Sequence, residues 1–485
     1  MLQSHKAVPA WQQPEKQTPR ACTSAKPTSR VEHAIGLFLS SPQVQHLCCQ
    51  HRYGMEVLAT AKGWLLLCES TGSNQTLETY RRLLAYKQVS ISAYSLRKGE
   101  QMDLTAARPR IPVLTSLRFF AALHVVLFHL QATHIAFMSG PLSGFAGIGY
   151  TGVSMFFVLS GFILVYTYAG RETQPKEFYR ARFARIYPAY VFSLLLTAPF
   201  FFAGMYLFKV PFLAWAAAHT GSAVVLVLLL LQAWIPPAAL SWNAVAWSLS
   251  VEAFFYLLFP FLLPRFERRS NKQLFAMLAF FWIAGLAVSV TYGLLRPDHL
   301  ANVDSNVLNA WWLNFVKFNP LARLPEFLIG MTCGTLFLHN SGKKILATPL
   351  VLAAIIGLVT VARFWSVIPY PILHTGLLGI VFAALIFGLA LRPKWSAIFD
   401  NRVLVLFGDA SYSLYLLHQA IIPMFFFGKD GKILHPTIPW ILLAVSVALG
   451  ISILVYRFIE QPLRRKLNPR RAKPVVDATA EPILA

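Results

Sequence analysis

From residue 111 onward the chain alternates long apolar runs with short basic ones. Apolar stretches recur at 112–134, 149–169, 186–207, 211–235, 244–264, 273–295, 321–338, 347–366, 371–391, 403–427 and 438–460. A helix of about 20 residues rises about 30 Å, the thickness of a hydrocarbon core. The pattern therefore predicts up to eleven membrane spans, and the basic linkers test that number. Linker 170–185 carries Arg171, Lys176, Arg180, Arg182 and Arg185, and linker 265–272 carries Arg265, Arg268, Arg269 and Lys272. Positive linkers belong on the cytoplasmic side, yet three full crossings would put these two on opposite sides. Treating 211–235 as re-entrant or interfacial restores the parity. Linker 339–346 (Lys343, Lys344), linker 392–402 (Arg392, Lys394, Arg402) and the tail (Arg457, Arg464, Arg465, Lys466, Arg470, Arg471, Lys473) then fall on the cytoplasmic side as well. The intervening linkers, such as 135–148, are nearly free of Lys and Arg. The expectation is an all-α polytopic membrane protein of about ten transmembrane helices, with both termini cytoplasmic. Residues 111–465 form the integral-membrane domain and 466–485 a basic cytoplasmic tail. No internal repeat marks a transporter architecture.

Residues 1–110 differ in character. The first thirty are polar, basic and Pro-containing, which reads as disorder. The apolar runs IGLFLSS and KGWLLLCE are too short to span. The segment is either an N-terminal extension or lies upstream of a true start at Met102, and no function is assigned to it. Composition supports the membrane reading, with 56% hydrophobic and only 13% charged residues, against about 25% charged in soluble proteins. The net charge of +23 fits basic cytoplasmic linkers facing anionic lipid. No RNP, zinc-finger or basic-zipper pattern points to nucleic acid. The five cysteines show no CxxC spacing, so neither a metal site nor a disulfide framework is expected.

Against that apolar background, a few polar residues stand out. LRFFAALHVVLFHL (117–130) places Arg118, His124 and His129 in the first span, where a central charge costs on the order of 3 kcal/mol. Arg118 and His129 are eleven residues apart, which is three turns plus about 20° and an axial rise of about 16 Å. They share a face, which suits a ligand with an anionic end and a reactive group some distance away. His124 lies about 140° away from His129 and reads as structural. Arg182 and Arg185, three apart in FYRARFARIYPAY, suit a cytoplasmic phosphate, although topology alone also accounts for basic residues there. Glu252 in WSLSVEAFFYLLFP is an acid/base group, a partner that orients His129, or an arginine's salt-bridge partner. RLPEFLIG holds Arg323 and Glu326 at a spacing that lets them neutralise each other, SYSLYLLHQ holds His418, and RFIEQPLRR closes the last helix with Pro462 helping to end it. Trp215, Trp234, Trp242, Trp311 and Trp312 suit either sugar stacking or the membrane interface.

The ordered set Arg-x10-His, FFVLSGF, RFARIYP, WSLSVE, RLPEFLIG, SYSLYLLH and FIEQP resembles the membrane acyltransferase-3 family. These bacterial O-acyltransferases modify lipopolysaccharide, peptidoglycan, capsule and secreted glycans. The resemblance covers roughly residues 111–465. It implies ten spans with a re-entrant segment after the third; some members add a C-terminal SGNH-type esterase domain, which is not expected here, since about twenty residues follow FIEQP. It makes His129 the essential histidine and Arg118 its signature partner. Arg182 and Arg185 become the acyl-CoA-handling pair and Glu252 the acidic motif position, while Arg323, Glu326 and His418 fall at recurrent positions. The implied activity moves an acyl group, most simply acetyl, from cytoplasmic acetyl-CoA or another acyl-CoA to a hydroxyl of a cell-surface or secreted glycan. The acceptor is a glycan or lipid-linked sugar at the bacterial inner membrane. Catalysis rests on His129 and Glu252, the donor is held by Arg118, Arg182 and Arg185, and no metal takes part. A secondary transporter of a lipid-linked or small polar solute is the alternative, using the same intramembrane charges.

Overall fold

Pro112 sits where a helix's first turn needs no N–H, and it opens α1 (Pro112–Ala132). The computed structural model describes residues 108–132, 141–171, 174–304, 307–426 and 437–468, with two strands upstream. The chain divides into two units, Met1–Lys98 and Gly99–Ala485. In the first, β1 (Met55–Thr60) and β2 (Gly63–Cys68) form an antiparallel hairpin pairing Met55 with Cys68 and Thr60 with Gly63. The run KGWLLLCE, too short to span, thus supplies a strand of ordinary length. The other expectations for residues 1–107, and those for the tail beyond residue 468, lie outside the described residues.

The second unit is helical throughout its described residues. After α1 come α2 (Gly152–Tyr168), α3 (Pro175–Tyr206), α4 (Trp247–Glu267) and α5 (Asn271–Leu295). They are followed by α6 (Pro320–Asn340), α7 (Ala347–Phe364), α8 (Gly379–Ala390), α9 (Arg402–Ile421) and α10 (Ile438–Val455). Among the described residues, nine helical stretches are long and apolar enough to cross a membrane, or up to ten if one sharply bent pair counts as a span. The protein is a polytopic membrane protein.

The bent pair is the segment whose parity was in question. Pro211–Ala218 and Thr220–Leu228 meet at 98°. Tyr190 and Tyr187 donate to the Val227 and Leu228 carbonyls at 2.7 Å each. Those carbonyls lie at a helix end, where Val227 also accepts from Leu230 N at 3.0 Å, so two tyrosines of α3 tie down the end of this sharply bent segment. The polar α9, with Asp409 and His418, falls outside the apolar set. It nevertheless runs parallel to α1: Gly408 lies on the Thr115 carbonyl and His418 reaches His129. It therefore follows α1 over most of its length, as a tenth span would.

Three local features depart from the sequence expectation. The third span, expected from residue 186, begins at Pro175, so most of the basic linker is helix and carries Arg182 and Arg185 on α3. Pro462 does not end the last helix. A π turn at Tyr456–Glu460 absorbs it and the chain continues as Gln461–Leu467, because a wider turn tolerates the missing N–H and the clash with the carbonyl four residues back. The eighth span is broken, with Tyr370–His374 and α8 separated by Gly376 at φ +99°. A side chain at Gly376 would be strained, and its Cβ would lie 2.6 Å from the Gly285 backbone.

The most buried helices, α2 and α6, form the centre, while α5, α7 and α10 present most of their surface outward. Gly161 of α2 abuts the Phe327 carbonyl, and Gly330 and Gly334 of α6 abut Val158 and Phe162. Small residues let backbones approach where lipid supplies no hydrophobic drive. Gly330→Ala should therefore destabilise the bundle by about 2 kcal/mol or more, read as a lower unfolding midpoint in detergent. Gly293→Ala, whose new methyl meets open space, should not lower it.

Candidate active site

Two cavities line up along α1. The first is lined by Arg118 of α1, Ser160 of α2, Arg182 and Arg185 of α3, Ser248, Glu252 and Tyr256 of α4, and Tyr412 and Tyr415 of α9. Glu252 accepts from Ser160 Oγ at 3.1 Å and from Tyr256 Oη at 2.5 Å. Arg182 lies 5.6 to 5.7 Å from the rings of Tyr168, Phe178 and Tyr256, where flat guanidinium stacking is favourable. Arg185 is ion-paired with Glu460, which also accepts from Ser413 at 3.2 Å. The π turn delivers that carboxylate. The buried Nε atoms of Arg118 and Arg182 have no hydrogen-bond partner among the described residues. Orphaned cationic donors in a cavity are what an anionic ligand would satisfy.

The second cavity, about 300 Å³, is lined by His129 together with Tyr150, Trp247, Lys317, Phe318, Tyr370 and His374. His129 Nδ1 lies 2.9 Å from the Val125 carbonyl and 3.2 Å from His418 Nε2. His418 Nδ1 lies 2.8 Å from the Tyr415 carbonyl, and a carbonyl only accepts. Proton assignment follows: His418 carries its proton on Nδ1, so its Nε2 accepts from His129 Nδ1–H and the basic lone pair of His129 is on Nε2. Lys317 donates to the Val307 carbonyl at 3.0 Å and lies 5.0 Å from the Phe318 ring. Tyr150 stacks on His374 with ring centroids 5.1 Å apart, and its hydroxyl has no hydrogen-bond partner among the described residues.

Arg118 and His129, read as two ends of one path, thus line two cavities that share Val153 and Tyr415. Glu252 lies in the first cavity, bonded to Ser160 and Tyr256, and it is His418 that meets His129. Arg323 and Glu326 form a fully buried ion pair at 2.9 Å. Arg323 also donates to Ser154 Oγ at 2.8 Å, to Thr375 Oγ1 at 2.7 Å and to the His374 carbonyl at 2.5 Å. His124 meets the Phe145 carbonyl at 2.6 Å. Of the five tryptophans considered for sugar stacking, none lines the second cavity, and Trp242 stacks on Phe201 instead. Lys317, His374, Tyr150, Trp247 and Glu460 were not singled out as candidates. Lys317, a lone cation in the apolar run WWLNFVKF, gives a local signal, as does His374 in the apolar stretch 371–391, while Trp247 and Glu460 stand within WSLSVE and FIEQP. Among the described residues, no group of three or more His, Cys, Asp or Glu side chains is placed to hold a metal.

A family model described as an acyltransferase domain matches residues 111–457. The chain is 28% identical to the acyltransferase MdmB of Streptomyces mycarofaciens over 387 residues, which is 75% of this chain and 94% of that one. It is 28% identical over 385 residues to the O-acetyltransferase OatA of Staphylococcus aureus, covering 73% of this chain and 57% of that protein. It is 29% identical over 337 residues to the exopolysaccharide production protein ExoZ of Rhizobium meliloti, covering 67% of this chain and 92% of that one. No solved structure matches.

The ion pair between Arg185 and Glu460 is buried, with the side chains 15% and 0% exposed. Removing either partner should cost about 3–5 kcal/mol by stranding the other's charge. The double alanine variant should lose less than the sum, with a coupling of about 1–3 kcal/mol. A double-mutant cycle on detergent-purified protein measures it, and zero coupling would show the contact to be incidental.

Proposed function

The chain belongs to the acyltransferase-3 family, and from that premise we propose that it transfers an acyl group, most simply acetyl, from cytoplasmic acyl-CoA to a glycan hydroxyl. The observation that carries this reading is the meeting of an arginine-lined cavity and a histidine-lined one at a single wall. Arg118, Arg182 and Arg185 line the first cavity and supply positive charge for the donor's phosphates, with Arg185 held in place by Glu460. Glu252 keeps the cationic cavity from excess positive charge and fixes Tyr256 and Ser160 around the donor arm.

In the second cavity, His129 Nε2 takes the proton from the acceptor hydroxyl as general base. The freed oxygen attacks the thioester carbonyl carbon, a C–O bond forms, and collapse breaks the C–S bond. The imidazolium returns its proton to the leaving thiolate, so the enzyme ends as it began. His418, accepting from Nδ1–H, holds the ring in the tautomer that this step needs. The aromatic walls of Trp247, Tyr150 and Phe318 suit the apolar face of a sugar ring, and the unpaired Tyr150 hydroxyl suits one of its oxygens. The names of OatA and ExoZ, an O-acetyltransferase and an exopolysaccharide production protein, support a polysaccharide as acceptor. Peptidoglycan, capsule and lipopolysaccharide are the classes to screen. The basic linkers support an inner-membrane placement with both termini cytoplasmic.

Purified protein supplied with acetyl-CoA and a glycan acceptor should release free CoA thiol in step with acylated sugar. Solute movement across a vesicle without thiol release would favour a transporter instead. His129→Ala should lower transfer by about 10²- to 10⁴-fold while expression and unfolding midpoint hold, and full activity in that variant would remove His129 from the chemistry. Tyr150→Phe should raise the KM for the acceptor about three- to tenfold, the worth of one hydrogen bond, and leave the KM for acyl-CoA unchanged.

A further inference from the structure

We propose that Tyr415 and Val153 form a rigid collar between the two cavities, one that selects the acyl group by width and excludes branched acyl chains. The proposal rests on the acyl-transfer reading and deepens it. Tyr415 and Val153 line both cavities, whereas Ser248 lines only the first and Val245 and Trp247 only the second. On the transfer reading, the phosphates stay with Arg118 and Arg182 while the thioester carbonyl must come to His129. The acyl group must therefore lead the donor arm past the wall that these two side chains share.

The collar is fixed in shape. Tyr415 Oη lies 2.9 Å from the Val245 carbonyl and 2.8 Å from Ser248 Oγ. Phe156 meets its ring edge-on at a centroid separation of 6.1 Å. Both collar residues are buried, Tyr415 at 6% and Val153 at 5% exposure. Val153 comes from α2, at the centre of the bundle. The Tyr415 carbonyl also accepts from His418, which in turn meets His129. Collar and base thus stand on successive parts of one framework, and neither can swing aside to admit a wider group. Acetyl and other unbranched acyl groups pass, while a methyl branch next to the carbonyl meets the ring or the valine.

The test is a competition between acetyl-CoA and isobutyryl-CoA on the full-length protein in detergent or nanodiscs. The readout is the ratio of the two kcat/KM values, which a merely structural loss would leave unmoved. Wild type should prefer acetyl. Val153→Ala, which widens the gap by two methyl groups and leaves the polar contacts in place, should raise the isobutyryl-to-acetyl ratio about tenfold or more. Tyr415→Leu should raise it as well. Tyr415→Phe keeps the width of the ring and loses only the two hydroxyl bonds, so it should raise the ratio less than Val153→Ala does. An unchanged ratio in Val153→Ala would overturn the collar, as would a wild type that takes both donors equally, or a Tyr415→Phe shift as large as that of Val153→Ala. If Tyr415→Leu fails to fold, the other two variants decide. A folded wild type that releases no thiol from any acyl-CoA over a panel of glycans would instead defeat the acyl-transfer reading, and the collar would fall with it.

Discussion

The bundle depends on one buried charge. Arg323 is fully buried, and its guanidinium joins Glu326 on its own helix, Ser154 on α2, and Thr375 and the His374 carbonyl in the broken eighth span. An isolated charge in hydrocarbon would be prohibitive, so neutralisation by Glu326 is the first requirement. The second requirement is backbone satisfaction. Breaking a membrane helix frees carbonyls that lipid cannot satisfy, and Arg323 supplies a donor for the one at His374. The break in turn carries His374 into the second cavity, where it stacks on Tyr150. A residue that touches no reacting atom thereby sets the shape of the chamber in which His129 stands.

A second buried charge pair does the same for the other cavity. Glu460 arrives through a π turn that exists because Pro462 follows it, and it holds Arg185 beside Tyr412. The two pairs sit on different helices, yet both leave their cavities bounded by residues of α2 and α9. Parallel packing of α9 along α1 then registers the cavities against each other, since Arg118 and His129 share α1 while Tyr412, Tyr415 and His418 share α9.

What could be read in advance follows from how local each determinant is. The spacing of Arg118 and His129 is a property of one helix, so their shared face and axial separation were legible from the sequence. The same holds for Arg323 with Glu326, and it would have held for Glu252 with Tyr256, four residues on. Span number and the odd character of 211–235 were legible because charge sidedness acts on each linker separately. The span at 403–427 was legible as an apolar stretch of sufficient length, although Asp409 and His418 dilute the signal. Contacts between distant segments were not legible. His418 meets His129 across 289 residues and Arg185 meets Glu460 across 275. Lys317, His374 and Tyr150 converge from three distant segments, His374 from a span interrupted near Gly376. The five tryptophans illustrate the same point, since their apolar bulk was visible but their position relative to the chamber was not.

On the acyl-transfer reading, the division into two cavities also explains how water is kept from competing. A thioester beside a general base is hydrolysed if water reaches it as readily as the acceptor does. Phosphates and their hydration belong with the arginines, and the reacting carbonyl belongs in a chamber walled by aromatic rings. The rise of about 16 Å from Arg118 to His129 separates those two environments along a single helix. A narrow junction between them lets a donor arm join the two while limiting what else passes. On that reading Arg118 and His129, two costly polar residues of one membrane helix, stand at opposite ends of that division, the arginine at the wet end of the donor and the histidine at the dry one.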